Sequence, residues 1–159
     1  MNKNATDEDY MRLALEQAQS AAAQDEVPVG AVLVDATTGA VVAAAGNRTR
    51  TDCDPTAHAE ILVIRDMCRR DNAQRIPACH LYVTLEPCTM CSAAISFARI
   101  EKLVYGAPDP KGGAVESGVQ FFGQETCHHR PSVITGGVLA QPCGDILRAF
   151  FKDKRMAGR

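Results

Sequence analysis

Long apolar runs are missing from the sequence. Within its 159 residues, no stretch approaches the ~20 consecutive apolar residues that a membrane helix needs, so we expect no membrane partner. The opening segment 1–9 is polar and ends in Asp7, Glu8 and Asp9, and we therefore expect neither a signal peptide nor a transit peptide. A content of 46% hydrophobic and 23% charged residues instead predicts a soluble globular chain.

A strong net charge is also missing. The formal net charge of −2 at pH 7 gives no whole-protein argument for a nucleic-acid partner. The charge is uneven, because residues 1–26 contain two basic and six acidic side chains, whereas residues 146–159 contain five basic and one acidic. The basic end, which includes Arg159, either meets phosphates or is an ordinary solvated helix face and tail, and the charge count supports both interpretations.

Internal repeats and Pro/Ser-rich linkers are absent from the sequence, so we expect a single domain over residues 1–159. The apolar spacing alternates between helix and strand periods. Helices are predicted from Thr6 to about Gln24, from about Ala57 to Arg70, from Pro87 to about Arg99, and over "DILRAFFKDKR". Strands are predicted over "VGAVLVDATTGAVVAAAGN" (two strands joined by a turn), "HLYVTL", "KLVYGA" and "SVITGG". This order predicts an α/β layer with helices on a mixed sheet.

The chain contains seven cysteines, at positions 53, 68, 79, 88, 91, 127 and 143. An odd number without an export signal favours metal binding or catalysis over a disulfide framework, and we expect a cytoplasmic protein. Four of them have no partner at ligand spacing and are interpreted as ordinary small side chains, namely Cys53, Cys68, Cys79 and Cys143.

The stretch "TLEPCTMC" places Cys88 and Cys91 three residues apart in what we predict to be the first turn of a helix. Residues with this spacing share a helix face, and a helix N-terminus favours the thiolates that a metal requires. The best additional ligand is His58 in "PTAHAE", at the start of another predicted helix. One His and two Cys form the open arrangement of a catalytic zinc site, and Glu60 is then placed to act as a general acid/base.

Three other interpretations account for the same thiols. Cys-x-x-Cys can be a redox pair, although such a pair requires no His-Ala-Glu on another helix. It can also be half of a closed structural zinc site whose fourth ligand is Cys127, His128 or His129. A zinc-stabilised interaction domain is a third possibility, and it gives Glu60 no role.

The H-x-E…P-C-x-x-C set resembles the signature of zinc-dependent nucleobase deaminases. Nearly the whole chain, from about Tyr10 to Arg155, is similar to the bacterial tRNA-specific adenosine deaminase family in "EVPVGAVLV", "GNRTR", "DPTAHAEI", "LYVTLEPCTMC", "AISFARI", "YGAPDPKGGAVES" and "FFKDKR". The resemblance implies a cytidine-deaminase-like three-layer fold, with a mixed five-stranded sheet and helices on both faces. It also implies a Zn2+-dependent homodimer that converts the wobble adenosine of a tRNA anticodon stem-loop to inosine.

The resemblance also implies roles for particular residues. His58, Cys88 and Cys91 would be the zinc ligands and Glu60 the proton shuttle. The implied contacts to the substrate are Asn47 for the flipped base, Val29 for the apolar side of the pocket, Asp109 for the neighbouring nucleotide, and Phe150, Phe151 and Lys152 for the anticodon and its phosphates.

Deaminases of a free base or nucleoside, such as guanine or cytosine, share the zinc motif. That activity therefore remains an alternative. The segment "CHHRP" at 127–131 departs from the Asn-His form of many family members, and this departure affects the predicted loop contacts to RNA. The basic terminal helix is the sequence feature that favours a polyanionic substrate.

Overall fold

A computed structural model describes residues 4–158, so residues 1–3 and Arg159, the last of the basic terminal residues, lie outside it. A five-stranded sheet in the order β2-β1-β3-β4-β5 is its centre. The strands are β1 (Gly30–Asp35), β2 (Val41–Gly46), β3 (Cys79–Leu85), β4 (Lys102–Ala107) and β5 (Val133–Thr135). β1 pairs antiparallel with both β2 and β3, whereas the β3–β4 and β4–β5 pairs are parallel. The predicted mixed five-stranded sheet is confirmed.

Four helices cover the two faces of this sheet. They are α1 (Asp7–Ala23), α2 (Ala59–Arg70), α3 (Thr89–Ala98) and α4 (Ala140–Met156), and a 3₁₀ turn lies at Phe121–Gly123. One buried cluster joins α1 and α4 to the face that carries Val32, Tyr82 and Val104. The other cluster joins α2 and α3 to the opposite face, which carries Leu33, Leu81 and Leu103. The arrangement is therefore the predicted three-layer one.

The alternation of side chains along β1 explains why both faces of the sheet need a helix layer. Val32 and Val34 contribute to one cluster and Ala31 and Leu33 to the other, as the two-residue period of a strand requires. Both sets are almost completely buried. Among residues 4–158, no helix combines the length and apolar character needed to span a bilayer.

The first helix begins as its sequence predicts. The Thr6 side chain accepts a hydrogen bond from the Asp9 amide, and the Asp9 carboxylate accepts one from the Thr6 amide, which completes a capping box. α1 packs very closely on the sheet at Gly30, where a Cβ atom would lie 2.0 Å from the Ala14 carbonyl oxygen. Only glycine fits at that contact.

Two predicted helix starts are two residues too early, and both lie at the candidate metal site. α2 begins at Ala59 with His58 as its N-cap, and α3 begins at Thr89 with Cys88 as its N-cap. The backbone of each N-cap is extended, with ψ of 152° at His58 and 176° at Cys88. Of the three candidate ligands, only Cys91 lies within the first turn of a helix. His58 and Cys88 each lie one residue before a helix, where the chain changes direction from the preceding segment.

The last helix begins earlier than predicted. α4 starts at Ala140, and Pro142 occupies its first turn, where a missing N–H costs no intrahelical hydrogen bond. This extra turn buries Cys143 against β4, where a Cβ at Gly106 would lie 2.5 Å from the Cys143 Sγ.

One edge of the sheet collects the segments that carry the predicted site. β2 ends there at Gly46, β3 at Leu85 and β4 at Ala107, while β1 begins there at Gly30. The next residues along the chain, including Asn47 and Pro108, therefore extend from the same edge, and this is the usual position of a ligand site in an α/β sheet.

Candidate active site

His58, Cys88 and Cys91 converge at this edge. The Nδ1 atom of His58 lies 3.7 Å from the Sγ of Cys88 and 3.6 Å from the Sγ of Cys91. A tetrahedral zinc site with ordinary Zn–S and Zn–N bonds has a ligand-to-ligand separation of about 3.6 Å. Among the described residues, these three form the one group of His, Cys, Asp or Glu side chains that can hold a metal ion. The donor set and its spacing both fit zinc.

The two cysteine thiols differ in acidity: the pKa of Cys88 is lowered, whereas the pKa of Cys91 is raised. A hydrogen bond from Cys91 lowers the pKa of Cys88 to about 4, although burial opposes this shift, and His58 adds to the lowering. The same hydrogen bond, together with burial, raises the pKa of Cys91. Deprotonation of both thiols would place two negative charges side by side in a buried site. A divalent cation bound between them removes that cost.

Glu60 lies beside this group on the first turn of α2. Its side chain is only 4% exposed. Burial raises the pKa of Glu60, and the negative charge of Cys88 acts in the same direction, while His58 and Cys91 oppose the shift. A carboxyl group with a raised pKa can hold a proton closer to neutral pH than an exposed glutamate can.

A cavity of about 320 Å³ opens directly onto these side chains. Its walls come from the sheet edge and the adjoining loops, and the lining residues are Val27, Val29, Asn47, Thr49, His58, Glu60, Leu85, Glu86, Cys88, Asp109 and Gly112. Six of the ten predicted site residues are among them, namely Val29, Asn47, His58, Glu60, Cys88 and Asp109. Val29, which contributes an apolar part of the cavity wall, is 5% exposed.

Asn47 is a buried polar residue in the cavity wall, only 9% exposed. Its Oδ1 accepts a hydrogen bond of 2.8 Å from the Ala59 amide at the start of α2, so the fold itself uses this oxygen. The Nδ2 group has no acceptor among the residues that the structure describes. It is therefore an unused donor on a residue that lines the cavity.

Asp109 contributes to the opposite wall. Its Oδ1 accepts hydrogen bonds from the amides of Lys111 (3.2 Å) and Gly112 (3.0 Å), which hold the turn that follows β4. The half-buried carboxylate lines both the cavity and an adjoining groove.

That groove, which we call the apolar groove, has a volume of about 630 Å³ and extends from the cavity towards α4. Val27, Leu85 and Asp109 line both spaces. Its further walls are mainly apolar, and its lining is completed by Ala107, Pro108, Pro110, Ala140, Gly144, Leu147, Arg148 and Phe151. Phe151 is 44% exposed, and its ring is therefore accessible in the groove.

A second, basic groove of about 750 Å³ continues along α4. It shares Leu147, Arg148 and Phe151 with the apolar groove. Its remaining lining residues are all cationic, namely Lys111, Lys152, Lys154 and Arg155. The cavity, the apolar groove and the basic groove therefore form a connected path across one side of the molecule.

Phe150 and Lys154 are occupied by contacts within the chain. Phe150 meets Phe151 edge to face at 5.4 Å between centroids, and it carries the Lys154 ammonium 5.3 Å above its ring. Lys154 also forms an ion pair with Asp25, in the turn after α1. Phe150 does not line any of the three spaces described above.

The Cys127–His129 segment lies apart from the metal-binding group. The Cys127 thiol donates to the His129 carbonyl at 3.1 Å, and the His129 amide donates to the Ser96 hydroxyl at 2.9 Å. The His128 ring stacks on Phe97 at 5.3 Å. None of these side chains joins His58, Cys88 and Cys91 as a fourth ligand candidate among the described residues.

Glu86 is a lining residue that the sequence analysis missed. It is 2% exposed. Burial raises the pKa of its carboxyl group, but hydrogen bonds from the amides of Asp109 and Ser117 and their neighbours outweigh this effect and lower the pKa. The sequence does contain a signal for this residue, because Glu86 is a charged side chain between a buried strand and the candidate ligand Cys88. Val27, Thr49 and Leu85 carried no signal, because nothing distinguishes them from other small or apolar residues.

Comparisons with known proteins agree with this geometry. Residues 4–107 match the cytidine and deoxycytidylate deaminase zinc-binding region. A tRNA-specific adenosine deaminase of Agrobacterium fabrum is 60% identical over 147 residues, which cover 92% of this chain and 95% of that one. A solved structure from studies of A-to-I editing by tRNA:A34 deaminases at the wobble position of transfer RNA is 59% identical. It covers 87% of this chain and 98% of that one, with a TM-score of 0.83.

A guanine deaminase structure from Bacillus subtilis is also similar. It is 38% identical with a TM-score of 0.61, and the match covers 68% of this chain and 66% of that one. The similarity to the two tRNA deaminases is therefore higher in identity and extent, and the tRNA:A34 deaminase structure also superposes more closely.

Proposed function

Because this chain belongs to the tRNA-specific adenosine deaminases, within the cytidine and deoxycytidylate deaminases, we propose that it hydrolyses the first anticodon adenosine of a tRNA to inosine. The enzyme is a zinc-dependent deaminase. One observation supports the reaction most strongly: Glu60 and two of the three candidate ligands, His58 and Cys88, line a single cavity, and the third, the buried Cys91, lies 3.6 Å from His58.

His58, Cys88 and Cys91 are the residues that would hold the zinc ion. The two distances from His58 to the cysteine sulfurs match tetrahedral coordination, and three protein ligands would leave a fourth position for water. When bound, zinc supplies an activated water, because it lowers the pKa of water from about 16 to about 7. Cys88 and Cys91 contribute thiolates, whose charge the cation compensates.

Glu60 is the proposed proton shuttle. Its carboxylate accepts the proton that the water gives up, passes it to N1 of the adenine ring, and then assists the departure of the C6 amino group as ammonia. Adenosine and water are thereby converted into inosine and ammonia. The raised pKa of Glu60 suits a group that must both accept and return a proton near neutral pH.

Asn47 and Val29 are the proposed base-recognition residues. A nucleobase that is flipped out of its stack would enter the cavity edge first. The Asn47 Nδ2 group offers a hydrogen-bond donor, while its Oδ1 is fixed by the Ala59 amide. Val29 supplies an apolar surface for the face of the ring.

The connected grooves are the proposed path of the anticodon stem-loop. Asp109 lines both the cavity and the apolar groove, and we assign this position to the nucleotide beside the target. The exposed Phe151 ring is suited to stacking with a base, and Lys152 to pairing with a phosphate. Phe150 acts through Phe151 in this proposal, because the two rings are packed edge to face.

We also propose that the chain forms a homodimer through α3. The outer side of this helix exposes Phe97, which is 61% accessible, and leaves Met90, Ala93 and Ala94 half-buried. An apolar face of this kind is typical of an interface between two copies. The molar mass in solution, measured by light scattering, should be twice that of the chain, and a monomer at micromolar concentration would refute the dimer.

Residues 1–159 form one deaminase domain in this proposal, and the cytoplasm is the proposed location because a tRNA substrate is found there. Incubation of the enzyme with total tRNA, followed by inosine mapping, tests the function. The expected result is inosine at the first anticodon position of a tRNA, and none with Glu60→Gln.

Deamination of a free base is the second candidate, and one observation favours it: the similarity to the guanine deaminase of Bacillus subtilis. A small-substrate enzyme needs no groove beyond its pocket. The basic groove at Lys111, Arg148 and Lys152 therefore makes tRNA the better-supported substrate.

A further inference from the structure

Glu86 is a buried carboxylate that the proposed chemistry does not use. It directly follows β3, lies two positions before Cys88 and lines the cavity. With 2% of its surface exposed, its negative charge cannot be stabilised by bulk water. A buried carboxylate of this kind persists only where the protein itself satisfies it.

Five hydrogen bonds satisfy the Glu86 carboxylate, and all come from one loop. Its Oε1 accepts from the Asp109 amide at 3.0 Å and from the Ser117 hydroxyl at 2.9 Å. Its Oε2 accepts from three successive amides, those of Val115 (3.1 Å), Glu116 (3.0 Å) and Ser117 (2.9 Å). A carboxylate has about four lone-pair sites, so the loop uses all of its capacity.

These bonds fasten both ends of the loop 109–117, which we call the rim loop. Asp109 begins the rim loop, Ser117 ends it, and Gly112 lies between them in the cavity wall. The loop also packs directly on the carboxyl group, because a Cβ at Gly113 would lie 2.5 Å from the Glu86 Cδ. The rim loop lies outside the named helices and strands, and its regular backbone pairing is limited to one isolated β-bridge between Gly113 and Cys88.

We propose that Glu86 is a positioning residue: its carboxylate holds the rim loop in the conformation that completes the cavity and the start of the apolar groove. The identity of the positioned substrate, an RNA strand, rests on the proposed function. Local bonds remain within the loop, including Gly113 N to Asp109 O at 2.9 Å, and Ala114 N bonds to Pro87 O at 2.9 Å. Loss of the carboxylate should therefore loosen the rim loop without unfolding the domain.

Glu86→Gln is the direct test, because it preserves the shape of the side chain and replaces one acceptor oxygen with an NH₂ donor. Whichever way the amide is oriented, the NH₂ group faces N–H or O–H donors that have lost their acceptor. Hydrogen exchange at the amides of Asp109, Val115, Glu116 and Ser117 should accelerate by about tenfold or more, while exchange in β1 stays unchanged. Glu125→Gln, which removes the same charge at an exposed position, is the matched control and should match wild type.

Kinetics and metal content separate positioning from damage to the metal site. With a tRNA substrate, Glu86→Gln should raise KM by about tenfold and lower kcat by less than about threefold, with zinc bound at the wild-type level. Lost zinc with an unchanged KM would show that Glu86 acts on Cys88 instead, and the proposal would be wrong. Unchanged exchange in the rim loop of Glu86→Gln would equally overturn it.

Ser117→Ala provides a milder second variant, which removes one of the five hydrogen bonds. It should accelerate exchange at the same amides by a smaller factor, and this result is decisive if Glu86→Gln does not fold. No acceleration in Ser117→Ala would then contradict the proposal. If the wild-type enzyme forms no inosine in tRNA, the proposed function fails, whereas the exchange data still decide whether Glu86 holds the rim loop.

Discussion

The Nδ1 atom of His58 lies 3.6 Å from the Sγ of Cys91, although 33 positions separate these residues in the chain. Two helix N-termini on the same face of the sheet produce this contact, since His58 caps α2 and Cys91 lies in the first turn of α3. The three candidate ligands are therefore positioned by the central layers of the fold, whereas the rim depends on a loop and the two grooves depend on loops and α4.

The first prediction concerns metal binding. Cys88→Ala and Cys91→Ala should each lose the single zinc ion per chain, because two remaining ligands do not fix a tetrahedral ion. Elemental analysis of the purified variants measures this. Cys127→Ala is the matched control and should keep its zinc, since the Cys127 thiol is bonded to the His129 carbonyl. Metal loss from the Cys127 variant would instead indicate a closed structural site.

The second prediction separates chemistry from binding at Glu60. Glu60→Gln should retain zinc and its fold but lose about 10²–10⁴-fold or more in kcat, because the amide cannot accept and return a proton. The affinity for tRNA should change little, since protons move only during the reaction. Single-turnover assays with measured zinc content test this prediction, and near-wild-type turnover would remove Glu60 from the mechanism.

The third prediction concerns the basic groove. Binding of the anticodon stem-loop should weaken with salt, at a log–log slope of about −0.7 for each phosphate neutralised. Lys152→Ala and Arg155→Ala should each flatten that slope, because both cations are exposed in the groove.

Lys154→Ala is the informative comparison for this prediction. Lys154 is 18% exposed, pairs with Asp25 and rests on the Phe150 ring. Its loss should lower the melting temperature but leave the salt dependence of binding close to that of wild type. A slope that is unaffected by Lys152 and Arg155 would show that this end of α4 is only a solvated surface.

The fourth prediction is a pH dependence of stability at Glu26, which is 1% exposed. Burial raises the pKa of its carboxyl group, but hydrogen bonds from the Thr51 hydroxyl, the Thr51 amide and the Arg50 amide outweigh burial and lower it. The folded-state pKa is then below the unfolded value of about 4.3. The stabilisation is therefore fully present above the unfolded pKa and is lost as the pH falls through the folded pKa.

Thermal unfolding across pH measures this effect. Glu26→Gln should lower the stability at pH 7 by about 2 kcal/mol, roughly 4–8 °C in Tm, and should make the acid-side decline shallower than in wild type. Glu16→Gln, at an exposed position of α1, should follow the wild-type curve. Parallel acid-side declines in Glu26→Gln and wild type would contradict the assignment.

The sequence was sufficient for the fold class and for the candidate metal-binding group, for identifiable physical reasons. Strand and helix periods are local, and the capping box at Thr6 and Asp9 lies within four residues. The His-x-Glu and Cys-x-x-Cys spacings are local too, so a sequence can present them even though the contact between them is distant. The exact helix starts at Ala59 and Thr89, with His58 and Cys88 as N-caps, were missed because a cap depends on how the incoming chain turns.

Other parts of the site depend on partners that are far apart in the sequence. Glu86 is held by amides 23 to 31 positions away, and Lys154 is paired with an aspartate 129 positions away. No local pattern indicates such pairings. For the same reason, a count of charges does not distinguish Lys154 from Lys152. Of these two lysines, Lys152 is exposed in the basic groove, whereas Lys154 is largely covered by its contacts.

The most direct test of the central claim compares substrates under one set of conditions. Zinc-loaded enzyme should convert adenosine to inosine at the first anticodon position of a tRNA anticodon stem-loop, and Glu60→Gln should not. Free adenosine, guanine and cytosine should release ammonia far more slowly, because they cannot use the two grooves beyond the cavity. Rapid ammonia release from free guanine or cytosine, with no inosine in the stem-loop, would contradict the account.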